Sequence, residues 1–164
     1  MPDARVREAR LLAHTGRPGE AMAAANAVLD AEPEHLEALL FKALLLQEQG
    51  ASESALALYD RLARLFPEAI EPWNDRARCL HALGRDREAL DAARQAQVLL
   101  AHPLNAPHLP AVSLTLIWCL RELRQFHEAL DVAEACLART VDAVVAEWAG
   151  QLEQELRECE RERC

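Results

Sequence analysis

Residues 83–96 read LGRDREALDAARQA, and residues 123–136 read LRQFHEALDVAEAC. When the two stretches are aligned 40 residues apart (123 − 83), a Leu, a Glu, an Ala, a second Leu, an Asp and a second Ala coincide. Self-similarity at a fixed distance is the signature of a repeat architecture. The spacing of other residues along the chain therefore decides how far this repeat extends.

A step of 34 residues runs through the first part of the chain. Gly16, Gly50 and Gly84 keep this step (50 − 16 and 84 − 50). The same step relates three other sets of residues, which are Ala21, Ala55 and Ala89, then Leu12, Leu46 and Leu80, and finally Pro33 and Pro67. Four independent registers with one period indicate three consecutive copies of the same structural unit.

A fourth copy follows at a step of 40 residues, because Leu80 corresponds to Leu120 and Ala89 to Ala129. The six extra residues lie in the segment LLAHPLNAPHLP, residues 99–110. Its three prolines and its asparagine are incompatible with one continuous helix. We expect a longer loop here, after an extended helix.

Within each unit the apolar residues are spaced for helices. In the second unit they form two stripes, separated by Gly50, at Leu39, Ala43 and Leu46 and at Ala55, Tyr59 and Leu62. Hydrophobic residues make up 51% of the chain but aromatics only 4%, so alanine and leucine dominate and sheets are disfavoured. A glycine suits the left-handed turn that ends a helix. Each unit is thus predicted to be a hairpin of two short amphipathic helices, which must stack on its neighbours.

This pattern resembles the tetratricopeptide repeat, a 34-residue unit with the characteristic positions W-x₂-L-G-x₂-Y…A-x₃-F…P. The third unit carries Trp73, Ala77, Leu80, Ala89 and Ala93 at these positions. The other units carry weaker versions, and the fourth has Arg124 in place of the turn glycine. The resemblance implies an all-α fold, a right-handed superhelical stack of antiparallel helix–turn–helix hairpins. It implies one domain over 1–164, with four repeats at about 2–34, 35–69, 70–103 and 110–141.

The C-terminal segment predicts one further helix, over about 142–162. One face of it is apolar, at Val141, Val145, Trp148, Leu152, Leu156 and Cys159. We expect this helix to cap the last repeat. The alternative is a dimerisation helix, because the apolar stripe continues beyond what one repeat covers.

Charge and composition restrict the partners and the location. The formal net charge of −9 disfavours nucleic acid, which needs clustered positive charge. No stretch approaches the roughly 18 apolar residues of a membrane span. The opening MPDARVREAR lacks the apolar core of a secretory signal, which favours the cytoplasm. There the five cysteines are expected to be free thiols that fill apolar space.

The sequence offers no constellation for catalysis, and we predict a protein that is not an enzyme and has no cofactor. Nucleotide-binding glycine motifs are missing, and GRPGE at 16–20 lacks the lysine that would reach a phosphate. Cys79 and His81 point about 200° apart on a helix, so they cannot share a metal ion. His102 and His108 flank the proline-rich segment without further ligands, so no metal site is predicted.

The resemblance implies that ligands bind in a groove lined by the first helix of each unit. The residues on that face are Val6, Arg10, Leu40, Leu44, Gln47, Asn74, Arg78, His81, Leu114, Trp118 and Arg121. The mixture of apolar and donor side chains fits a peptide or partner protein with apolar anchors and acceptor or acidic groups. The predicted function is that of an adaptor or scaffold. For Leu40, Leu44 and Trp118 a place in the core is the competing interpretation.

Other functions of repeat proteins remain alternatives. Some family members hold chaperone C-termini through a basic clamp, but Glu71 and Asp75 would repel a carboxylate here. One alternative is a structural protein that forms a homodimer through the C-terminal helix. Another is a bacterial chaperone of the type III secretion kind, since those are small, acidic and helical. A groove occupied by the chain's own residues 102–110 is a further possibility.

Overall fold

The structure, a computed structural model, describes residues 2–162, with side chains from residue 3 onward. Every regular element in this range is helical, which confirms the all-α prediction. The α-helices are α1 Pro2–His14, α2 Pro18–Ala31, α3 Leu36–Glu48, α4 Ser52–Leu65, α5 Ile70–Ala82, α6 Asp86–Leu99, α7 Leu109–Glu122, α8 Phe126–Leu137 and α9 Ala143–Glu162. A 3₁₀ helix, Pro103–His108, precedes α7.

In the first three hairpins, the periodic glycines end the first helix in the left-handed conformation, as their spacing predicts. The φ angles are +76° at Gly16, +79° at Gly50 and +72° at Gly84. At the last of these turns, the Gly84 N–H donates to the His81 carbonyl at 2.9 Å and the Arg85 N–H donates to the Leu80 carbonyl at 3.0 Å. This pair of bonds is the Schellman motif, which satisfies two carbonyls of the helix end. The second acceptor belongs to Leu80, one of the leucines that recur every 34 residues.

The fourth hairpin makes the same turn without glycine. Arg124 adopts φ +58°, and the Gln125 N–H donates to the Leu120 carbonyl at 2.8 Å. A left-handed conformation costs a side-chain-bearing residue about 1–2 kcal/mol. Two contacts hold Arg124 there, since its guanidinium donates to the Cys159 Sγ at 3.0 Å and lies 5.6 Å from the Phe126 ring centre.

The chain divides into two compact units, residues 1–72 and 73–164. In the first unit α1 packs on α2, α2 on α3 and α3 on α4. Small residues let these helices approach closely, and Ala9, Ala21 and Ala25 are fully buried against Phe41 and Leu45. A second cluster contains Val6, Val28 and Ala38.

In the second unit α6 packs on α7, α7 on α8 and α8 on α9. Its fully buried residues include apolar positions that correspond between the two hairpins at a step of 40, namely Ala77, Leu80, Ala89 and Ala93 in the first and Ile117, Leu120, Ala129 and Ala133 in the second. The hairpin α7–α8 therefore uses the same buried positions as α5–α6, although it begins after the six extra residues. The single-domain organisation and the limits given for the repeats stay a prediction.

The C-terminal helix begins at Ala143, and Asp142 caps it. The Asp142 Oδ1 accepts hydrogen bonds from the N–H groups of Val144 and Val145, both at 3.0 Å. Val145 is buried, but Val141 lies outside the helix and is fully exposed, so its place on the apolar face was wrongly predicted. A residue before the cap no longer follows the helical period, so its side chain leaves the stripe.

The segment between α6 and α7 is more ordered than a loop. α6 ends at Leu99 after 14 residues, the same length as α2 and α4, so the expectation of an extended helix was wrong. The 3₁₀ helix then leads into α7 through Pro103 and Pro107. The Asn105 side-chain amide donates to the Leu99 carbonyl at 2.8 Å, which satisfies one acceptor of the α6 end. The prolines thus interrupt the α-helix as expected, but they do so within a 3₁₀ helix.

Candidate binding surface

In the first unit, the predicted groove residues of α1 and α3 differ in their exposure. Leu44 is 39% exposed, Leu40 and Gln47 are half-buried, and the Arg10 guanidinium lies 6.0 Å from the Phe41 ring centre. The Gln47 Oε1 accepts a hydrogen bond from the Tyr59 hydroxyl at 3.4 Å. This part of the surface therefore offers mainly leucine side chains and one cation.

Val6 has a different environment, because it is fully buried against Val28 and Ala38. A ligand could reach it only if the contact between α1, α2 and α3 opened. Val6 therefore belongs to the core of the first unit, and its assignment to the groove was wrong.

In the second unit, ring side chains from the three alternate helices α5, α7 and α9 lie next to one another. His81 of α5 stacks on Trp118 of α7, with ring centres 6.3 Å apart and an interplanar angle of 19°. Trp118 in turn contacts Trp148 of α9 edge to face, with centres 6.4 Å apart and an angle of 70°. We call these three residues the aromatic row. All three are half-buried, so part of each side chain is accessible.

The first member of the row is held in place by an acidic partner. The His81 Nδ1 lies 2.7 Å from the Asp86 Oδ1, and this pair spans the turn between α5 and α6. A hydrogen bond at this ring nitrogen fixes the plane of the imidazole. The orientation that lets His81 stack on Trp118 is therefore set within its own hairpin.

A bidentate ion pair closes the other end of the row. The Arg121 Nη2 donates to the Glu155 Oε1 at 2.6 Å and the Nε donates to the Oε2 at 3.0 Å, and the same guanidinium lies 5.5 Å from the Trp148 ring centre. Glu155 raises the pKa of Arg121, chiefly through these hydrogen bonds. Two parallel N–H···O bonds are the strong form of this pair. Arg121 is thus already bound by a carboxylate of its own chain, and a ligand acid would have to compete for it.

The remaining predicted residues lie on α5 and α7. Asn74 is about nine-tenths buried, and within the described residues its Oδ1 has no hydrogen-bond partner. Arg78 is exposed and makes an ion pair with Asp75 at 3.3 Å, while Leu114 is half-buried. A buried unpaired oxygen costs about 1–3 kcal/mol. Asn74 is thus an acceptor whose capacity the described residues do not use.

The comparison with known protein families identifies the same repeats. The family model for the tetratricopeptide repeat matches residues 6–70 and 42–102, which together span more than half of the 164 residues. The chain belongs to the tetratricopeptide repeat family. Proteins with this repeat are in general scaffolds for interactions between proteins. No curated protein sequence matches the chain.

Several solved tetratricopeptide repeat structures have a similar fold. TTC0263 of Thermus thermophilus is 17% identical, with a TM-score of 0.77 over 95% of this chain and 83% of that one. PilF of Pseudomonas aeruginosa is 18% identical, with a TM-score of 0.84 over 96% and 69%. YrrB, described as having an unusual peptide-binding site, is 18% identical, with a TM-score of 0.69 over 93% and 76%. At these identities the similarity shows the fold alone.

Trp148 and Glu155 are missing from the groove residues that the sequence predicts. Glu155 lies 34 residues after Arg121, which is one tetratricopeptide period, and Trp148 lies 34 residues after Leu114 (148 − 114). The helix α9 therefore occupies the register of a fifth first helix. Continuing the period of 34 beyond the fourth repeat would have identified both residues.

The cysteines behave as apolar filler within the repeats. Cys79 and Cys119 are fully buried, and burial raises the pKa of Cys119 to about 12, with Asp86 adding to the shift. A thiol with such a pKa stays protonated at neutral pH and is a poor nucleophile.

Two further observations apply to residues 2–162. In this range no three His, Cys, Asp or Glu side chains are grouped so that they could hold a metal ion. None of the helices described has the length and apolar character needed to span a membrane.

Proposed function

We propose that this chain is a non-catalytic adaptor that binds an extended peptide, or a segment of a partner protein, on the aromatic row and its neighbours. The observation that carries this proposal is the half-buried position of Trp118 between His81 and Trp148. The indole has enough contact to be held in one place and enough exposure to meet another molecule. Tryptophan is enriched at the centre of protein interfaces, where such residues dominate the binding energy.

Charges around the row indicate what the partner carries. Arg78 is exposed, and its contact with Asp75 at 3.3 Å lies at the surface, where an ion pair contributes only about 0–1 kcal/mol. A ligand carboxylate could replace Asp75 at small cost. The paired Arg121 is less available because Glu155 already binds it through two bonds. The partner therefore presents an apolar or aromatic anchor to Trp118 and an acidic or acceptor group to Arg78.

Unpaired backbone groups of an extended peptide also need partners. The Asn74 Oδ1 is an unused acceptor on the same helix as Arg78. That oxygen is buried, so a peptide N–H could reach it only after the Asn74 side chain turned outward, and Asn74→Ala would test this bond without changing the charge of the surface. YrrB, with its peptide-binding site, is an example of the same fold in this role.

Affinity capture with two matched double variants tests the proposal. Arg78→Glu with Trp118→Ala alters the proposed surface. Arg87→Glu with Val98→Ala makes the same kinds of change at exposed positions of α6. We expect the first pair to lose the captured partners and the second to keep them. A folded first variant with an unchanged set of partners would refute binding on this surface.

A homodimer through α9 is the second candidate function. Val144 at the start of α9 is 49% exposed and Val141 is fully exposed, which leaves a small apolar area next to the helix. Sedimentation over a range of concentrations tests this, and Val144→Lys should dissociate any dimer that uses the area. The cytoplasmic location stays a prediction.

A further inference from the structure

A cavity of about 320 Å³ lies between α6, α7 and α8 in the second unit. It shares no residue with the aromatic row. Seven of its lining side chains are apolar, namely Leu100, Ala101, Leu109, Leu116, Val132, Ala135 and Cys136. The three polar ones are Gln97, Ser113 and Arg139. A mostly apolar hollow with a few converging polar groups is the usual form of a small-ligand site, and this volume is at the small end of that class.

The cavity borders the segment that breaks the 34-residue period. Leu100, Ala101 and Leu109 belong to residues 99–110, where the six extra residues lie. The apolar side chain that this segment could insert is that of Leu104, but Leu104 is 79% exposed and does not line the cavity. The extra residues therefore form part of the wall and leave the hollow accessible.

The polar groups specify the charge of an occupant. Ser113 is 3% exposed within α7, and Arg139 is exposed just after α8. Among the residues that the structure describes, neither the Ser113 hydroxyl nor the Arg139 guanidinium has a hydrogen-bond or ion-pair partner. A carboxylate at the mouth of the cavity would satisfy the guanidinium, and the hydroxyl could donate to the same group.

The lining also specifies the rest of the occupant. No lining side chain is aromatic, so the walls match an aliphatic chain. A volume of about 320 Å³ equals that of about ten waters at ~30 Å³ each, which fits a ligand of about ten non-hydrogen atoms. A peptide of that size would bring amide groups into a hollow with only three polar side chains, and unpaired buried amides are costly.

We propose that this cavity binds an unbranched aliphatic monocarboxylate of about eight carbons. The chain lies against the leucines and Val132, and the carboxylate meets Arg139. This site is independent of the adaptor function, because it uses other residues and another class of ligand.

Titration of the full chain with octanoate, followed by protein NMR, tests the proposal. The comparison ligands are 1-octanol, octylamine and N-acetylleucine, which vary the charge and the amide content. We expect saturable shifts at the lining residues. Octanoate should bind roughly fivefold more tightly than 1-octanol, as an ion pair at the surface would give, and octylamine and N-acetylleucine should bind more weakly still.

Three variants separate the contributions. Arg139→Gln should remove the preference for octanoate over 1-octanol, and Ala135→Phe should weaken both ligands by filling the hollow. Arg87→Gln makes the same charge change at an exposed position near the other end of α6 and should bind octanoate like the parent. Equal binding of all four ligands, an unchanged preference in Arg139→Gln, or no saturable binding would overturn the proposal. Both Arg139 and Ala135 are exposed, so these variants should fold, which circular dichroism would verify.

Discussion

Replacing either of two glycines in the second unit by alanine should change the free energy of unfolding, but in opposite directions. Gly84 ends α5 at φ +72°, whereas Gly150 lies inside α9 and is exposed. A methyl group added at either position meets no atom within 4 Å. Steric clash is therefore excluded at both positions, and only the backbone conformation distinguishes Gly84→Ala from Gly150→Ala.

The magnitudes follow from those conformations. The left-handed conformation costs an alanine about 1–2 kcal/mol. Alanine also restricts the unfolded chain more than glycine does, which offsets about 0.4–1 kcal/mol of that cost. Gly84→Ala should thus lower the free energy of unfolding by about 1 kcal/mol. Inside a helix alanine is more stable than glycine by about 0.8–1 kcal/mol. Gly150→Ala should therefore raise the free energy of unfolding by nearly that amount. The two variants should differ by about 2 kcal/mol, or about 4–8 °C in melting temperature for a chain of this length.

Urea unfolding followed by circular dichroism measures both changes under one set of conditions. The two variants are controls for each other, since the added group is identical. A Gly84→Ala protein as stable as the parent would show that the turn does not hold the left-handed conformation in solution. A destabilised Gly150→Ala protein would show that α9 is not a regular helix at that point.

Three further outcomes are expected. Arg124→Ala keeps the left-handed strain and loses the contacts of the guanidinium, so Arg124→Gly should be more stable than Arg124→Ala by about 1 kcal/mol in urea unfolding. Glu155→Gln should cost about 1 kcal/mol, since the pair with Arg121 is bidentate but about one-third exposed; a double-mutant cycle that finds no coupling would contradict this. Burial raises the pKa of Cys119 from 9.0 to about 12, so the folded protein keeps a proton that the unfolded chain releases above pH 9.0. Stability is therefore unaffected by this group below pH 9.0 and should fall as the pH rises above it. Over that range the urea midpoint of Cys119→Ala should fall less than that of the parent protein.

The repeats could be predicted because each depends on local chemistry. Only glycine adopts the left-handed turn at low cost, so its spacing at Gly16, Gly50 and Gly84 identified three hairpin turns directly. The fourth turn was identified by register alone, because Arg124 is a residue that by itself disfavours the conformation. Such a substitution is tolerated when tertiary contacts offset the strain, and those contacts are invisible in a local pattern.

The candidate surface was less predictable because exposure depends on neighbours. The predicted groove face contains both Val6 and Trp118, yet Val6 is buried and Trp118 is half-buried. Helical periodicity gives the direction of a side chain but not what packs over it. The cavity beside Arg139 was not predictable for a related reason, since its walls come from three helices and their packing.

The helix α9, which packs on α8, limits how an array of this kind can grow. The buried positions of α9, at Val145, Leu152 and Cys159, are already used within the second unit. Glu147, Gln151 and Gln154 form an exposed polar stripe along the same helix. Apart from Val144, this face offers a helix fused after α9 little apolar surface to pack against. To extend the array by protein engineering, these three residues would first have to be replaced by alanine or leucine, so that another helix could pack on α9.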